Sequence, residues 1–294
     1  MRSYFRYWWL AMRPKTLPAS ISPILLGSAL AASEGSLHAG IAITAIFCAL
    51  FLQISVNLAN DLFDGLSGVD TEERLGPARM VQSGFIAVPH MVIGLTICTI
   101  LATLTGLFLA YHTNWQLLYI GLFCILAVFA YSAGPWPLAS LGLGEIAVLI
   151  FFGWVAVMGS YFLQTETLSW QAWWYGTAAG LLNVAIMLVN NLRDIPTDQA
   201  SGKLTLAVRL GDNNTRKLYQ LLLILAMASH LLASWGDLWT SIVPLLICTP
   251  YIKIKINEIQ KHTGRDLNQM IPGTAKLLLI YCVTSGIFLF LNSG

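Results

Sequence analysis

The sequence predicts an all-α integral membrane protein with about nine transmembrane helices, and three observations predict it. Of 294 residues, 56% are apolar and only 10% charged, with a mean hydropathy of +0.69. A water-soluble domain carries roughly 25% charged residues, so a globular enzyme with a solvated surface is excluded. The apolar residues gather into nine runs near the length of a spanning helix, about 20 residues. The basic residues, finally, occupy every second connection between those runs.

The runs lie near 17–32, 39–57, 89–111, 115–133, 143–163, 170–189, 218–235, 238–252 and 275–291. The first and eighth are short. Pro18, Ser20, Ser22 and Pro23 interrupt the first run, which argues against Ala29-Leu30-Ala31 being the cleavage site of a signal peptide. The second and sixth end in acidic motifs, and the fourth ends at Tyr131. Within the sixth, Gly176-x-x-x-Gly180 is a helix-packing pattern.

An odd number of spans puts the termini on opposite sides. With the N-terminus in the cytoplasm, all 16 Lys and Arg fall in cytoplasmic segments, as the positive-inside rule requires. The outer loops carry only Glu34, Glu166 and Asp237 as charges. Chemistry that needs a cluster of ionised groups therefore belongs on the cytoplasmic side. A net charge of +2 is too balanced for a nucleic-acid partner. Cysteines 48, 98, 124, 248 and 282 include no C-x-x-C pair, so no zinc or redox motif is present.

The chain reads as a single polytopic domain, 1–294, built from a duplicated unit. After the second run comes Asn57-Leu-Ala-Asn60-Asp61-Leu-Phe-Asp64, continuing to Gly68 and Asp70. After the sixth comes Asn190-Asn191-Leu-Arg193-Asp194-Ile-Pro-Thr-Asp198, continuing to Gly202 and Lys203. Both copies read N-x-x-x-D, then a second Asp three or four residues later. The halves are about 1–133 and 134–270, with a ninth helix at about 275–291 left over, and they bring the two acidic ends together around one site.

Aspartates three or four residues apart share a helical face if the helix continues. Neighbouring carboxylates repel, and hard divalent cations relieve that repulsion. The all-oxygen set suits Mg²⁺, which shares its remaining positions with water and phosphate oxygens. Asp61, Asp64, Asp70, Asp194 and Asp198 are the candidate metal ligands, with two Mg²⁺ ions expected. Asn57, Asn60 and Asn190 are additional oxygen ligands or orienters. Arg74, Arg79, Arg193 and Lys203 are candidates for binding a diphosphate. Arg13 and Lys15 are candidates for an acceptor carboxylate, and read more readily as orientation charges.

These motifs resemble the UbiA superfamily of intramembrane prenyltransferases, and within it the 1,4-dihydroxy-2-naphthoate polyprenyltransferase (MenA) family. The resemblance is carried by Arg13-Pro-Lys-Thr-Leu17, by Asn57 to Asp70 with Arg74-Leu-Gly-Pro-Ala-Arg79, and by Tyr131-Ser-Ala-Gly-Pro-Trp-Pro with Gly142-Leu-Gly-Glu145. It is strongest from Asn190-Asn-Leu-Arg-Asp194 through Gly202-Lys-Leu-Thr-Leu-Ala-Val-Arg-Leu-Gly211. The five-residue gap between Asp64 and Asp70 resembles the naphthoate branch rather than the 4-hydroxybenzoate branch.

The resemblance implies transfer of a polyprenyl group from its diphosphate to dihydroxynaphthoate in menaquinone biosynthesis, with loss of CO₂ and diphosphate, giving demethylmenaquinol. The bacterial inner membrane is the expected location. Asp194 or Asp198 is then the nearest base for a phenolic proton. Tyr131 is a candidate to face the prenyl cation or the acceptor ring, and reads also as an interfacial anchor. A different aromatic acceptor is the alternative within this chemistry. A secondary transporter is the alternative outside it, but transport would place carboxylates near the bilayer midplane.

Overall fold

The computed structural model describes residues 2–67 and 75–292, all of them in helices or the connections between helices. Asp70 and Arg74 lie outside the described residues. The helices are α1 (Arg2–Met12), α2 (Leu17–Ser33), α3 (Ala39–Ser67), α4 (Val88–His112), α5 (Leu117–Ser132), α6 (Gly144–Val148), α7 (Ala156–Thr165), α8 (Trp170–Ala200), α9 (Leu206–Ala233), α10 (Leu238–Lys261) and α11 (Met270–Leu291). A π-helical segment, Leu149–Val155, joins α6 to α7 in one rod. Among the described residues, the nine apolar runs thus correspond to nine helical rods.

By length and composition, six of the described segments suffice to cross a membrane: Tyr4–Ser33, Ala39–Leu66, Val88–His112, Gly144–Thr165, Trp170–Ala200 and Gly264–Leu291. Helix α5 is apolar but shorter. In α9 and α10 the apolar stretch is cut into by charges, Arg216 and Lys217 in the first and Lys253 and Lys255 in the second. The chain is a multi-pass membrane protein.

Two features go beyond the sequence reading. Residues 2–12, which lie before the first apolar run, form α1. Tyr4, Phe5, Trp9 and Leu10 are exposed on it, while Ala11 is buried. Tyr7 stacks on Phe85, and Trp8 fills the space beside Gly94, where a Cβ would lie 2.6 Å from its ring. Arg2 and Arg6 break the apolar run, which hid this helix from a search for spans. Secondly, α3 and α8 run well beyond the apolar runs to Ser67 and Ala200, so the helix does continue through Asp61, Asp64, Asp194 and Asp198, as a shared face requires.

Packing concentrates around α8, whose Tyr175, Leu182, Leu188 and Val189 are fully buried with Leu26 of α2, Tyr219 and Leu223 of α9 and Tyr281 of α11. Lipid supplies no hydrophobic drive between helices, so close backbone approach matters more than in water. Gly176 and Gly180 meet Gly153 of the π segment, where a Cβ would lie 2.6 Å from the Gly176 carbonyl oxygen. A second, smaller core joins Leu58 and Leu62 of α3 to Met91 and Leu95 of α4, Val128 of α5 and the Met80–Ile86 turn.

Candidate active site

At the end of the bundle that carries the two acidic motifs, the chain encloses a polar chamber of about 140 Å³. Arg13, Asn60, Asp64, Arg79, Tyr131, Asn190, Asp194, Asp198 and Lys203 line it, joined by Ser132, Met187, Asn191, Thr197 and Thr205. Arg13, Asn60, Tyr131, Met187 and Asn190 also line a second, larger cavity of about 540 Å³. Its remaining walls are chiefly aliphatic and aromatic residues of α2 to α8, including Leu52, Ile125, Phe151 and Phe152. Along α5 it reaches from Tyr131 to Leu117, about 21 Å at 1.5 Å per residue.

Each motif supplies the chamber from its own helix end. Asp64 pairs with Arg79 at 2.5 Å and with Lys203 of the second motif at 3.8 Å. Asp194 receives two hydrogen bonds from Arg193, Nε to Oδ1 at 2.7 Å and Nη2 to Oδ2 at 2.5 Å. Asp198 accepts from the Thr205 hydroxyl at 3.5 Å, and the same hydroxyl oxygen caps α9 by accepting from the Val208 amide. The Asn60 side-chain oxygen accepts a hydrogen bond from Ser132 at the end of α5. Arg13 sits in the break between α1 and α2 with a left-handed backbone, φ 53°.

Four predicted residues stand apart from the chamber lining. Asp61 is 2% exposed, and its two oxygens accept the Met80 and Val81 amides, each at 2.9 Å. It thereby shapes the turn that carries Arg79. Asn57 lines the large cavity and donates to the Met12 carbonyl at 2.9 Å, tying α3 to the end of α1. Arg193 is 1% exposed and stands behind the chamber, donating to Asn190 at 2.7 Å and to Asn268 at 2.6 Å as well as to Asp194. Lys15 is exposed and lines neither cavity.

Several contributors were not among the site residues expected from the sequence. Asn268, in the turn before α11, links Arg193 to the Leu75 carbonyl, which its Nδ2 reaches at 3.0 Å. Gly76 lies against the same guanidinium, so that a Cβ there would be 2.6 Å from Nη2. The loop after α5 is laced to the loop after α8 by Leu204 N donating to Ser140 O and Arg209 Nη2 donating to Leu141 O, both at 2.9 Å. That lacing fixes the first turn of α6.

Among the described residues, no three of His, Cys, Asp and Glu converge as a ready metal cage. The donor set nonetheless fits a hard cation. Three carboxylates and the side-chain oxygens of Asn60 and Asn190 border one small space, beside three cationic side chains of Arg13, Arg79 and Lys203. Arg193, paired with Asp194 from behind the lining, is a fourth cation, so the site has no excess negative charge of its own. A polyanion entering alone would create one, and divalent cations entering with it would offset it.

Comparison with known proteins agrees with this arrangement. The sequence profile of the UbiA prenyltransferase family matches residues 20–287. The 1,4-dihydroxy-2-naphthoate octaprenyltransferase of Escherichia coli is 41% identical over 253 residues, which cover 82% of each chain. The enzyme of the same name from Mycobacterium tuberculosis is 36% identical, over 95% of each chain. Among solved structures, an apo UbiA homolog from Aeropyrum pernix superposes with a TM-score of 0.72 at 15% identity, over 95% of this chain and 98% of the other. A UbiA homolog from Archaeoglobus fulgidus bound to GPP and Mg²⁺ gives 0.70 at 15% identity, over 97% and 99%. The polar chamber, the apolar cavity it opens into and the match over residues 20–287 together identify this chain as a member of the UbiA prenyltransferase family.

Proposed function

We propose that the protein transfers a polyprenyl group from polyprenyl diphosphate to 1,4-dihydroxy-2-naphthoate, releasing diphosphate and CO₂. The observation that carries this reading is the union of the two cavities. A charged chamber of about 140 Å³ opens, through Arg13, Tyr131 and Met187, into an apolar space of about 540 Å³. Such a site suits an amphiphile with a polyanionic head and a long apolar tail. The two naphthoate octaprenyltransferases, 41% and 36% identical, support dihydroxynaphthoate as the acceptor.

Mg²⁺, for which two ions are proposed, would neutralise charge on the departing diphosphate. Asp64, Asp194 and Asp198, with Asn60 and Asn190, would hold it. Asp61 joins them only by giving up the amides of Met80 and Val81. Arg79, Lys203 and Arg13 lie where a diphosphate oxygen can accept their hydrogen bonds, with Arg193 bracing Asp194 and Asn190 from behind. As the allylic C–O bond breaks, the dry walls of the large cavity keep water from the prenyl cation. Tyr131, which borders both spaces with its hydroxyl 3.6 Å from Met187 Sδ, faces the reacting end of the chain. Asp194 or Asp198 takes the phenolic proton as the ring attacks the allylic carbon, and returns it to the ring oxygen as the C–CO₂ bond breaks and CO₂ leaves.

This reading sets the chamber on the cytoplasmic face of the bacterial inner membrane, supported by the 16 basic residues sharing one side. The test is an assay in detergent or lipid with labelled polyprenyl diphosphate, Mg²⁺ and either dihydroxynaphthoate or 4-hydroxybenzoate. Prenylated naphthoquinol with CO₂ release, abolished by EDTA, is the expected result. Turnover of 4-hydroxybenzoate alone would reassign the acceptor, and inactivity with both would reject the reaction.

A further inference from the structure

Asn191 is the residue of the second motif that the metal and diphosphate do not account for. It is 8% exposed and lines the polar chamber, while its Nδ2 donates to Glu145 Oε1 at 2.9 Å. Glu145, in the first turn of α6, is 5% exposed, and its Oε2 is buried without a hydrogen-bond partner. With any proton on the unpartnered Oε2, Oε1 is an acceptor in either protonation state. It therefore fixes the sense of the Asn191 amide: the NH₂ faces Glu145, and Oδ1, about 120° away on the same planar group, is left as an acceptor on the chamber side.

The height of that oxygen in the site matters. Met187 precedes Asn191 by one helical turn on α8 and borders both cavities, while Asp194 follows it by three residues. The neighbouring turn of α6 fits closely here: a Cβ on Gly144 would lie 2.2 Å from Met187 Cε and 3.4 Å from the Tyr131 hydroxyl. Asn191 borders the chamber one helical turn from Met187, which marks the junction of head and tail where the allylic carbon must react. A carbonyl oxygen at that level repels a phosphate or carboxylate and attracts a hydroxyl hydrogen.

We propose that Asn191 Oδ1 accepts a hydrogen bond from a ring hydroxyl of the aromatic acceptor, and that Glu145 is the positioning residue that holds the amide in that sense. The inference rests on the prenyl-transfer reading above and names a contact within it.

The test is steady-state kinetics on the full-length protein in lipid nanodiscs, with labelled polyprenyl diphosphate, dihydroxynaphthoate and Mg²⁺ varied in turn. Asn191→Ala raises KM for the acceptor about tenfold, the loss of one hydrogen bond. Its KM for the prenyl diphosphate and its Mg²⁺ half-saturation stay within about twofold. Glu145→Gln, whose amide can pair with either face of Asn191, raises the acceptor KM in the same selective way, and Glu145→Asp restores most of it. The double variant Glu145→Gln with Asn191→Ala is no worse than Asn191→Ala alone, because the two act through one group.

A shifted Mg²⁺ half-saturation in Asn191→Ala would make Asn191 a cation ligand and overturn the proposal. An unchanged acceptor KM would overturn it too. If Glu145→Gln does not purify folded, the Asn191→Ala result decides alone. Wild-type protein inactive with dihydroxynaphthoate would instead defeat the underlying reaction, an outcome visible before any variant is made.

Discussion

The two acidic motifs share letters but not employment. In the second, Asp194 and Asp198 both border the chamber. Among the described residues of the first, Asp64 alone does, while Asp61 turns both oxygens to the backbone of the Met80–Val81 turn. Helical phase accounts for the difference. At about 100° per residue, an i, i+4 pair lies about 40° apart and an i, i+3 pair about 60° apart in the opposite sense. The extra residue in the second copy keeps both acids on the chamber face. The tighter first copy sends one acid in and the other towards the loop that delivers Arg79. A duplicated motif can thus divide into a ligand-facing copy and a copy that builds its own frame.

The largest expected effect separates those roles most cleanly. Asp198→Ala should lower kcat by about 10²–10³-fold, the scale of losing one charge-stabilising group in a water-poor site, while leaving the thermal unfolding midpoint in detergent near that of the wild type. Removing the metal with EDTA should abolish wild-type turnover. A variant that keeps more than about a tenth of its activity would take Asp198 out of the metal site.

Asp61→Asn should do the reverse. An amide oxygen can replace one of the two carboxylate acceptors, but its NH₂ then meets the other backbone N–H, costing about 2 kcal/mol of stability. The unfolding midpoint falls, and activity measured well below that midpoint falls less than in Asp198→Ala. If Asp61→Asn instead keeps its midpoint and loses Mg²⁺-dependent turnover, the division of labour between the motifs is wrong and Asp61 is a ligand.

The contact between the motifs is open to a steric test. Gly76→Ala places a methyl 2.6 Å from Arg193 Nη2, a group locked by Asp194, Asn190 and Asn268. Something must shift, and overpacking of this kind costs about 1–2 kcal/mol. Both the midpoint and kcat should drop, since the same guanidinium braces Asp194. Unaltered kinetics would mean that the first loop carries no register to the second motif.

What could be read in advance follows from physical range. The helical rods were legible as apolar runs because lipid imposes a length and an apolar composition on a crossing segment, and six of the described segments meet that measure. The convergence of Asp64, Asp194 and Asp198 was legible because duplication implies juxtaposition. Helix α1 was not, since Arg2 and Arg6 cut short the apolar run in the sequence there. Nor was the behaviour of Arg193, expected on the diphosphate and found buried behind Asp194. An arginine that touches substrate and one that braces an acid have the same local spacing. Only the partner, here Asn268 from 75 residues further along the chain, tells them apart.

Asn268 offers the smallest and most specific check on how the two motifs are joined. Its Oδ1 accepts from Arg193, and its Nδ2 donates to the Leu75 carbonyl just before Gly76, so one amide touches both sides of the site. Asn268→Ala removes one of the hydrogen bonds to a buried guanidinium while leaving those to Asp194 and Asn190, so the cost should be about 1 kcal/mol. If the amide serves as a strut between motifs, combining it with Gly76→Ala should give less than the sum of the two losses, because both act on one guanidinium. Strict additivity in unfolding midpoints and kcat would mean that Asn268 holds only the α10–α11 turn, leaving Lys203 with Asp64 as the ion pair that bridges the two motifs.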